Sequence, residues 1–230
     1  MSRKLIVEAI GTFFLVLTIG LVVLEPGAGA MAPLAIGSVL VAMVYTGGHI
    51  SGAHYNPAVT LGVFMRGRAS AAELAGYWVV QVVGAVCAAL AVGFLRPDAA
   101  ATVAAPAVGQ AFLAEFLFTF ALVFVVLNVA TARGTTGNSY FGLAIGFTVL
   151  AGAYSVGAIS GGAFNPAVAI GITVLGLSAP GFLWVFVAAN LLGGAAAALL
   201  FNVLDMGDDK AVNATPAEQA QLQGAADTGA

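Results

Sequence analysis

Charged side chains are scarce in this chain of 230 residues, where Asp, Glu, Lys and Arg together make up only 7%. A typical soluble domain is about 25% charged. Hydrophobic residues make up 61% of the chain, more than a soluble fold of this length could bury. The composition therefore excludes a soluble globular protein and predicts an integral membrane protein.

Cysteine is almost absent as well, because Cys87 is the only one. A disulfide framework is therefore excluded, and a metal or redox centre is not expected. The sequence shows no nucleophile–base set, no cofactor signature and no cluster of Lys and Arg that would favour nucleic acid. We therefore expect neither an enzyme nor a cofactor.

The apolar runs are long and continuous and lack the two-residue alternation of a β-barrel, which favours helical spans. The N-terminal run resembles a secretory signal, but Glu8 lies early within it and the run continues to Leu24, so we interpret it as a retained first span. Two segments after Asn-Pro-Ala are too short to cross a bilayer and are predicted to be re-entrant half-helices. The predicted spans are residues 5–24, 33–47, 72–95, 110–132, 140–157 and 180–204, and the half-helices are residues 57–66 and 166–177.

One motif occurs twice in this pattern of spans. The first copy is Ile50-Ser51-Gly52, then three residues, then Asn56-Pro57-Ala58-Val59. The second copy, 109 positions later, is Ile159-Ser160-Gly161, then three residues, then Asn165-Pro166-Ala167-Val168. Four polar residues within predicted spans pair at nearly the same spacing: Glu8 with Glu115, and Gln81 with Asn190. Polar residues at membrane depth usually face the bundle interior, so we expect these four to support the site.

The chemistry of the motif predicts a pore. Asparagine is a favoured helix N-cap and proline a favoured first helical residue, so each half-helix begins inside the membrane with unpaired N–H groups. We expect Asn56 and Asn165 to keep their amides free to donate into a passage. Backbone carbonyls should line that passage, contributed by Gly52, Ala53, His54, Tyr55, Gly161, Gly162, Ala163 and Phe164.

Basic residues predict the topology. Six of the seven lie beside loops that six spans place on one side (Arg3, Lys4, Arg66, Arg68, Arg133 and Lys210), and only Arg96 lies on the other. Both termini are therefore predicted to be cytoplasmic. Three spans in each half make the second half an inverted repeat of the first. The short loops and the lack of a recognisable targeting sequence favour a bacterial cytoplasmic membrane.

Up to about Leu204 the chain resembles the aquaporin (major intrinsic protein) family, on the two Asn-Pro-Ala motifs and the paired polar residues. The resemblance implies an all-α membrane protein with six transmembrane helices and two half-helices in one domain (residues 1–204, repeats about 1–95 and 110–204). It also implies one pore per subunit, a homotetramer in the lipid bilayer, and passive flux of water and small neutral solutes. The polar tail, residues 205–230, is expected to be disordered.

The family's outer filter is carried over by spacing to Ile36, Ala153, Gly162 and Val168. Water-selective members usually have an aromatic residue, a histidine, a small residue and an arginine there, and glycerol facilitators two aromatics, a glycine and an arginine. This chain has neither set, which predicts a wide, apolar filter admitting water and solutes such as glycerol, urea, hydrogen peroxide or gases. The alternative is that Arg96 or Tyr154 enters the pore at that level.

His49 matches a family histidine at the cytoplasmic mouth, with a static lining role or a pH gate as its two interpretations. His54 is expected to act through its backbone carbonyl. Two rival functions stay open: an ion-coupled secondary transporter with broken helices, and a structural junction protein with a closed pore.

Overall fold

A computed structural model describes residues 1–103 and 106–207. Within these residues the fold is helical, and its one β-type contact is an isolated antiparallel bridge between Glu25 and Ala100. Six helices are long and apolar enough to cross a membrane, as predicted. The prediction of a disordered tail and the placement of Lys210 fall on residues outside the described ones, apart from residues 205–207.

Each half contributes three long helices and one short one. The short ones, α3 and α7, have nine residues each, or roughly 14 Å at 1.5 Å per residue, half of the hydrocarbon core. The elements are α1 (Ser2–Val23), α2 (Ala32–Ser51), α3 (Pro57–Met65), α4 (Ala71–Leu95), α5 (Val108–Thr131), α6 (Phe141–Ser160), α7 (Pro166–Val174) and α8 (Leu183–Val203).

Two helices extend further into the motif than the sequence predicts. The predicted spans ended at residues 47 and 157, but α2 continues to Ser51 and α6 to Ser160. Both then end at a glycine in the left-handed region, Gly52 (φ 90°) and Gly161 (φ 98°), which a residue without Cβ adopts at little cost. Gly47 is a close-packing position, because a Cβ there would overlap the Tyr55 hydroxyl.

The long helices pair in the same way in both halves, with α1 against α4, α5 against α8, and α2 against α6 between the halves. Glycine permits the closest approaches. A Cβ at Gly84 in α4 would lie 2.5 Å from the carbonyl oxygen of Ala9 in α1, and one at Gly193 in α8 would lie 2.5 Å from that of Phe116 in α5. Small residues of this kind let helix backbones approach closely in membranes.

The half-helices join the two halves. Each one packs on the last long helix of its own half and on that of the other half, so that α3 contacts α4 and α8, and α7 contacts α8 and α4. α3 and α7 also contact each other. The two Asn-Pro-Ala motifs therefore meet in the centre of the bundle, as the inverted repeat predicts.

Candidate pore

Each half-helix begins at its motif asparagine. The Asn56 side-chain oxygen accepts hydrogen bonds from the N–H groups of Ala58 and Val59, at 2.8 and 3.4 Å. The Asn165 oxygen accepts from those of Ala167 and Val168, at 2.9 and 3.4 Å. Pro57 and Pro166 occupy the first helical position, where no N–H is needed.

The two asparagines also bind each other's motif. Asn56 Nδ2 donates to the Phe164 carbonyl oxygen at 2.8 Å, and Asn165 Nδ2 donates to the Tyr55 carbonyl oxygen at 2.9 Å. The sequence predicted that both amides are free to donate into the passage. In the structure one N–H of each amide forms this reciprocal bond. The second N–H of each amide has no partner among the described residues and is the one that can face a solute.

Two buried carboxylates hold the loops that precede the asparagines. Glu8 Oε1 accepts from the Ser51 hydroxyl at 2.7 Å and the His54 N–H at 2.9 Å, and Glu8 Oε2 accepts from the Tyr55 N–H at 2.6 Å. Gln81 Nε2 adds a fourth bond at 2.9 Å. These bonds stabilise a backbone that is strained at Tyr55, whose φ is 50°.

Glu115 repeats the arrangement in the second half. Its carboxylate accepts from the Ser160 hydroxyl at 2.7 Å and from the N–H groups of Ala163 and Phe164 at 2.9 and 2.7 Å. Asn190, the counterpart of Gln81, instead accepts from the Thr119 hydroxyl at 3.0 Å. All four paired polar residues lie in the protein interior with no exposed surface, in the positions where the sequence expected support for the site.

Two cavities follow the axis of the bundle through this centre. The first, about 350 Å³, reaches from the asparagines to the end where α1 finishes and α2 begins. The second, about 610 Å³, lies at the end where α1 begins. His54, Val126 and Ile145 line both cavities, so the two cavities adjoin at these three residues.

The residues predicted to supply carbonyls lie along these cavities. Ala53, Tyr55, Gly161, Gly162, Ala163 and Phe164 line the first, Gly52 lines the second, and His54 lines both. The carbonyls of Tyr55 and Phe164 have an additional role that the sequence did not indicate, because they accept the reciprocal asparagine bonds.

The four filter positions come together on the first cavity. Ile36, Ala153, Gly162 and Val168 all line it, although they come from α2, α6, the loop before α7 and α7 respectively. Their action as a filter stays a prediction. No arginine or lysine occurs among the described residues that line this cavity.

The two residues offered as substitutes for the missing arginine point elsewhere. Arg96 donates to the carbonyl oxygens of Leu21 at 3.3 Å and Pro26 at 2.9 Å. The Tyr154 hydroxyl donates to the carbonyl oxygen of Ala30 at 3.0 Å, and half of Tyr154 is exposed on the outside of the bundle. Neither residue is among those lining the first cavity, which favours the apolar interpretation of the filter.

The histidines occupy different places. His49 lines the second cavity together with the charged residues Lys4, Arg68 and Glu73, at the mouth where the sequence placed it. His54 is 8% exposed, and its ring packs edge-on against Tyr77 with 5.2 Å between ring centroids. His54 therefore lies where the two cavities adjoin, with its ring packed on α4, whereas the sequence assigned a role only to its carbonyl.

Several lining residues were missed by sequence reasoning. Thr102, in the loop after α4, is a polar residue that lines the first cavity, and no motif marks it. The aliphatic lining could have been found from the repeat, because Leu15 pairs with Leu122 and Leu40 with Val149 at spacings of 107 and 109 positions. Equivalent positions in an inverted repeat face the same axis.

Comparisons with known proteins show which family has this architecture. A sequence profile described as Major intrinsic protein matches residues 1–201. The chain is 34% identical to Aquaporin NIP1-4 of Oryza sativa subsp. japonica over 217 residues, covering 90% of this chain and 79% of the rice protein. It is 34% identical to Nodulin-26 of Glycine max over 241 residues, covering 97% and 85%.

A solved structure has the same fold. The aquaglyceroporin from Plasmodium falciparum superimposes with a TM-score of 0.74, covering 87% of this chain and 95% of that one. The two sequences are 21% identical, so this likeness shows the fold alone.

Proposed function

The chain belongs to the major intrinsic protein family, and from this premise we propose that its pore admits water together with larger neutral solutes. Members of this family are passive membrane channels for water and small solutes, so the chain is a multi-pass channel and not an enzyme. The solutes that we propose are glycerol, urea, hydrogen peroxide and dissolved gases.

One observation carries the choice of solutes. Ile36, Ala153, Gly162 and Val168 lie on one cavity of about 350 Å³, and each is small or aliphatic. Such a ring leaves more room than one containing aromatic and arginine side chains. It also lacks the cation that would repel other cations at this level.

The centre of the pore supplies the barrier to ions in this proposal. The N-termini of α3 and α7 meet there, and each carries a partial charge of roughly +0.5. The free N–H of Asn56 and that of Asn165 donate to passing solutes. Cations are disfavoured between two positive helix ends, whereas a neutral molecule with a hydrogen-bond acceptor is not.

The test is a liposome assay with the purified full-length chain. Water, hydrogen peroxide, urea and glycerol fluxes should all exceed those of empty liposomes in stopped-flow light scattering or an equivalent tracer measurement. Flux of water alone would contradict the wide filter, and no flux at all would support the alternative of a closed pore.

Val168, at the position where the family usually has arginine, provides a variant that tests the filter. Val168→Arg should slow glycerol and urea relative to water, because the new side chain narrows the cavity where the four filter residues meet. Val174→Arg is the control, because Val174 ends the same helix, is 50% exposed and does not line the cavity. Unchanged selectivity in Val168→Arg would show that Val168 does not stand in the solute path.

Assembly and orientation complete the proposal. We infer a homotetramer with one pore per subunit. We also infer cytoplasmic termini, because Lys4, Arg68 and His49 lie at the mouth where the chain begins, and basic residues are enriched on the cytoplasmic side. Light scattering in detergent should give four times 22.9 kDa. A cysteine placed by Ser2→Cys should resist an impermeant thiol reagent in intact cells. The bacterial location stays a prediction, and the named sequence relatives are plant proteins.

A further inference from the structure

The backbone donors beside the filter are all occupied inside the protein. Every N–H from residue 161 to residue 164 donates to a partner within the protein. The bonds are Gly161 N to the Gly157 oxygen at 2.9 Å, Gly162 N to Ser160 Oγ at 3.1 Å, Ala163 N to Glu115 Oε1 at 2.9 Å and Phe164 N to Glu115 Oε2 at 2.7 Å. The filter loop therefore offers no backbone N–H to a solute.

The same loop has free acceptors. No described residue donates a hydrogen bond to the carbonyl oxygens of Gly161, Gly162 or Ala163, and all three residues line the first cavity. A carbonyl oxygen away from bulk water needs a donor. In the filled pore, water or solute must supply it.

The other walls at this level supply no donor either. Ile36, Ala153 and Val168 have only hydrocarbon side chains, and no arginine or lysine occurs among the described residues that line the cavity. Among the described residues that line the cavity, none at the four filter positions has a side-chain N–H or O–H group; the lining residues that have one are Thr102, His54, Tyr55, Asn56 and Asn165. The filter is thus a stretch of acceptors opposite an apolar wall.

We propose that this filter selects solutes by the polarity of their hydrogen bonds. It favours molecules whose polar groups can all donate, such as alcohols, over molecules of equal size that present a carbonyl oxygen at the same place. A hydroxyl gives its proton to a loop carbonyl, whereas a carbonyl oxygen leaves both itself and the loop carbonyl without a donor. The inference rests on the proposed function, since it requires that such solutes enter the pore.

Glycerol and monomeric dihydroxyacetone form the matched pair for the test. They have the same number of heavy atoms and differ at the central carbon, which carries a hydroxyl in one and a carbonyl in the other. In proteoliposomes containing the full-length chain, dihydroxyacetone should enter about tenfold more slowly than glycerol after subtraction of empty-liposome rates, the factor that corresponds to one hydrogen bond left unmade.

Water flux in the same vesicles separates the two ideas. If water flux is present and glycerol and dihydroxyacetone enter at equal rates, or neither enters, the inference about hydrogen-bond polarity is overturned. The proposal of a water channel then still stands. Vesicles with no water flux above the empty ones overturn the proposed channel itself.

Restoring a donor provides the second test. Val168→Arg places donors at the filter and should bring the ratio of the two rates close to one, even where both rates fall. Val168→Met is the control, because it adds length without a donor and should keep the discrimination. A ratio that responds equally to Arg and Met would show that size, and not hydrogen-bond polarity, sets the preference.

Discussion

At the scale of single residues, the two buried glutamates determine the shape of the passage without lining it. Both oxygens of Glu8 accept two hydrogen bonds each, from Ser51 and His54 on one oxygen and from Tyr55 and Gln81 on the other. Because these bonds use the loop N–H groups, the loop is left with carbonyls to present to the pore.

Glu8→Gln should therefore destabilise the protein. Whichever way the new amide is oriented, its NH2 group faces two donors, and leaving buried polar groups unsatisfied costs about 1–3 kcal/mol each. Thermal unfolding in detergent measures the loss. Glu25→Gln is the control, because the Glu25 side chain accepts one exposed backbone bond from Gly27, and an equal effect in the two variants would contradict the role assigned to Glu8.

The reciprocal asparagine bonds can be tested separately from the helix caps. Asn56→Asp keeps the oxygen that caps α3 and removes the N–H that reaches the Phe164 carbonyl. We expect a loss of about 1–3 kcal/mol in unfolding free energy. Asn165→Asp should cause a similar loss, since its bond to Tyr55 has nearly the same length.

Asn202→Asp is the control for this pair of variants. Asn202 makes the same type of bond, from Nδ2 to the Met65 carbonyl oxygen, but in an exposed setting, where water replaces the lost donor. If all three variants lose the same unfolding free energy, the reciprocal bonds of Asn56 and Asn165 stabilise the protein no more than an exposed bond does.

At the scale of the helices, close contact between α1 and α4 depends on one glycine. A Cβ at Gly84 would lie 2.5 Å from the backbone oxygen of Ala9, so Gly84→Ala must push the two helices apart, at about 1–3 kcal/mol. Gly93→Ala, in the same helix with nothing within 4 Å, should leave stability unchanged or raise it. A lowered unfolding temperature in both variants would point to helix flexibility instead of contact.

Helix order and type follow from the sequence, but two helix ends do not. Long apolar runs predict six spans, and the distance from each Asn-Pro-Ala to the next polar turn predicts two half-helices. The sequence predicts that the second span ends at about Gly47, where the chain enters the first motif. The structure places Tyr55 against that glycine, a contact between residues eight positions apart that no local pattern reveals.

At the scale of the whole molecule, the lining of the first cavity argues against coupling to ions. No carboxylate is found among its described lining residues. Glu8 and Glu115 are both fully buried, and their oxygens accept hydrogen bonds from the loops. Water and glycerol flux should therefore be the same with and without a sodium or proton gradient. Vesicles with a trapped pH indicator should acidify no faster than empty ones, and gradient-driven accumulation of solute would contradict a passive channel.

The candidate site could be predicted in part from sequence because it is doubled. Spacing from the motif brought Ile36, Ala153, Gly162 and Val168 to one cavity. It could not show the contacts made when the two loops meet, such as Asn56 with Phe164. Nor could it show that the His54 ring packs against Tyr77, because Tyr77 lies in α4, 23 positions along the chain.

The exchange of hydrogen bonds between the two motifs also dictates how the molecule can be made. The first half of the chain is synthesised first, and until the second loop arrives the amide of Asn56 and the carbonyl of Tyr55 lack the partners that they have in the finished protein. An isolated half would have to keep that loop hydrated, because bare backbone is not tolerated in lipid. The middle of the passage therefore forms only when both loops are present, and neither half of the duplicated chain can complete it alone.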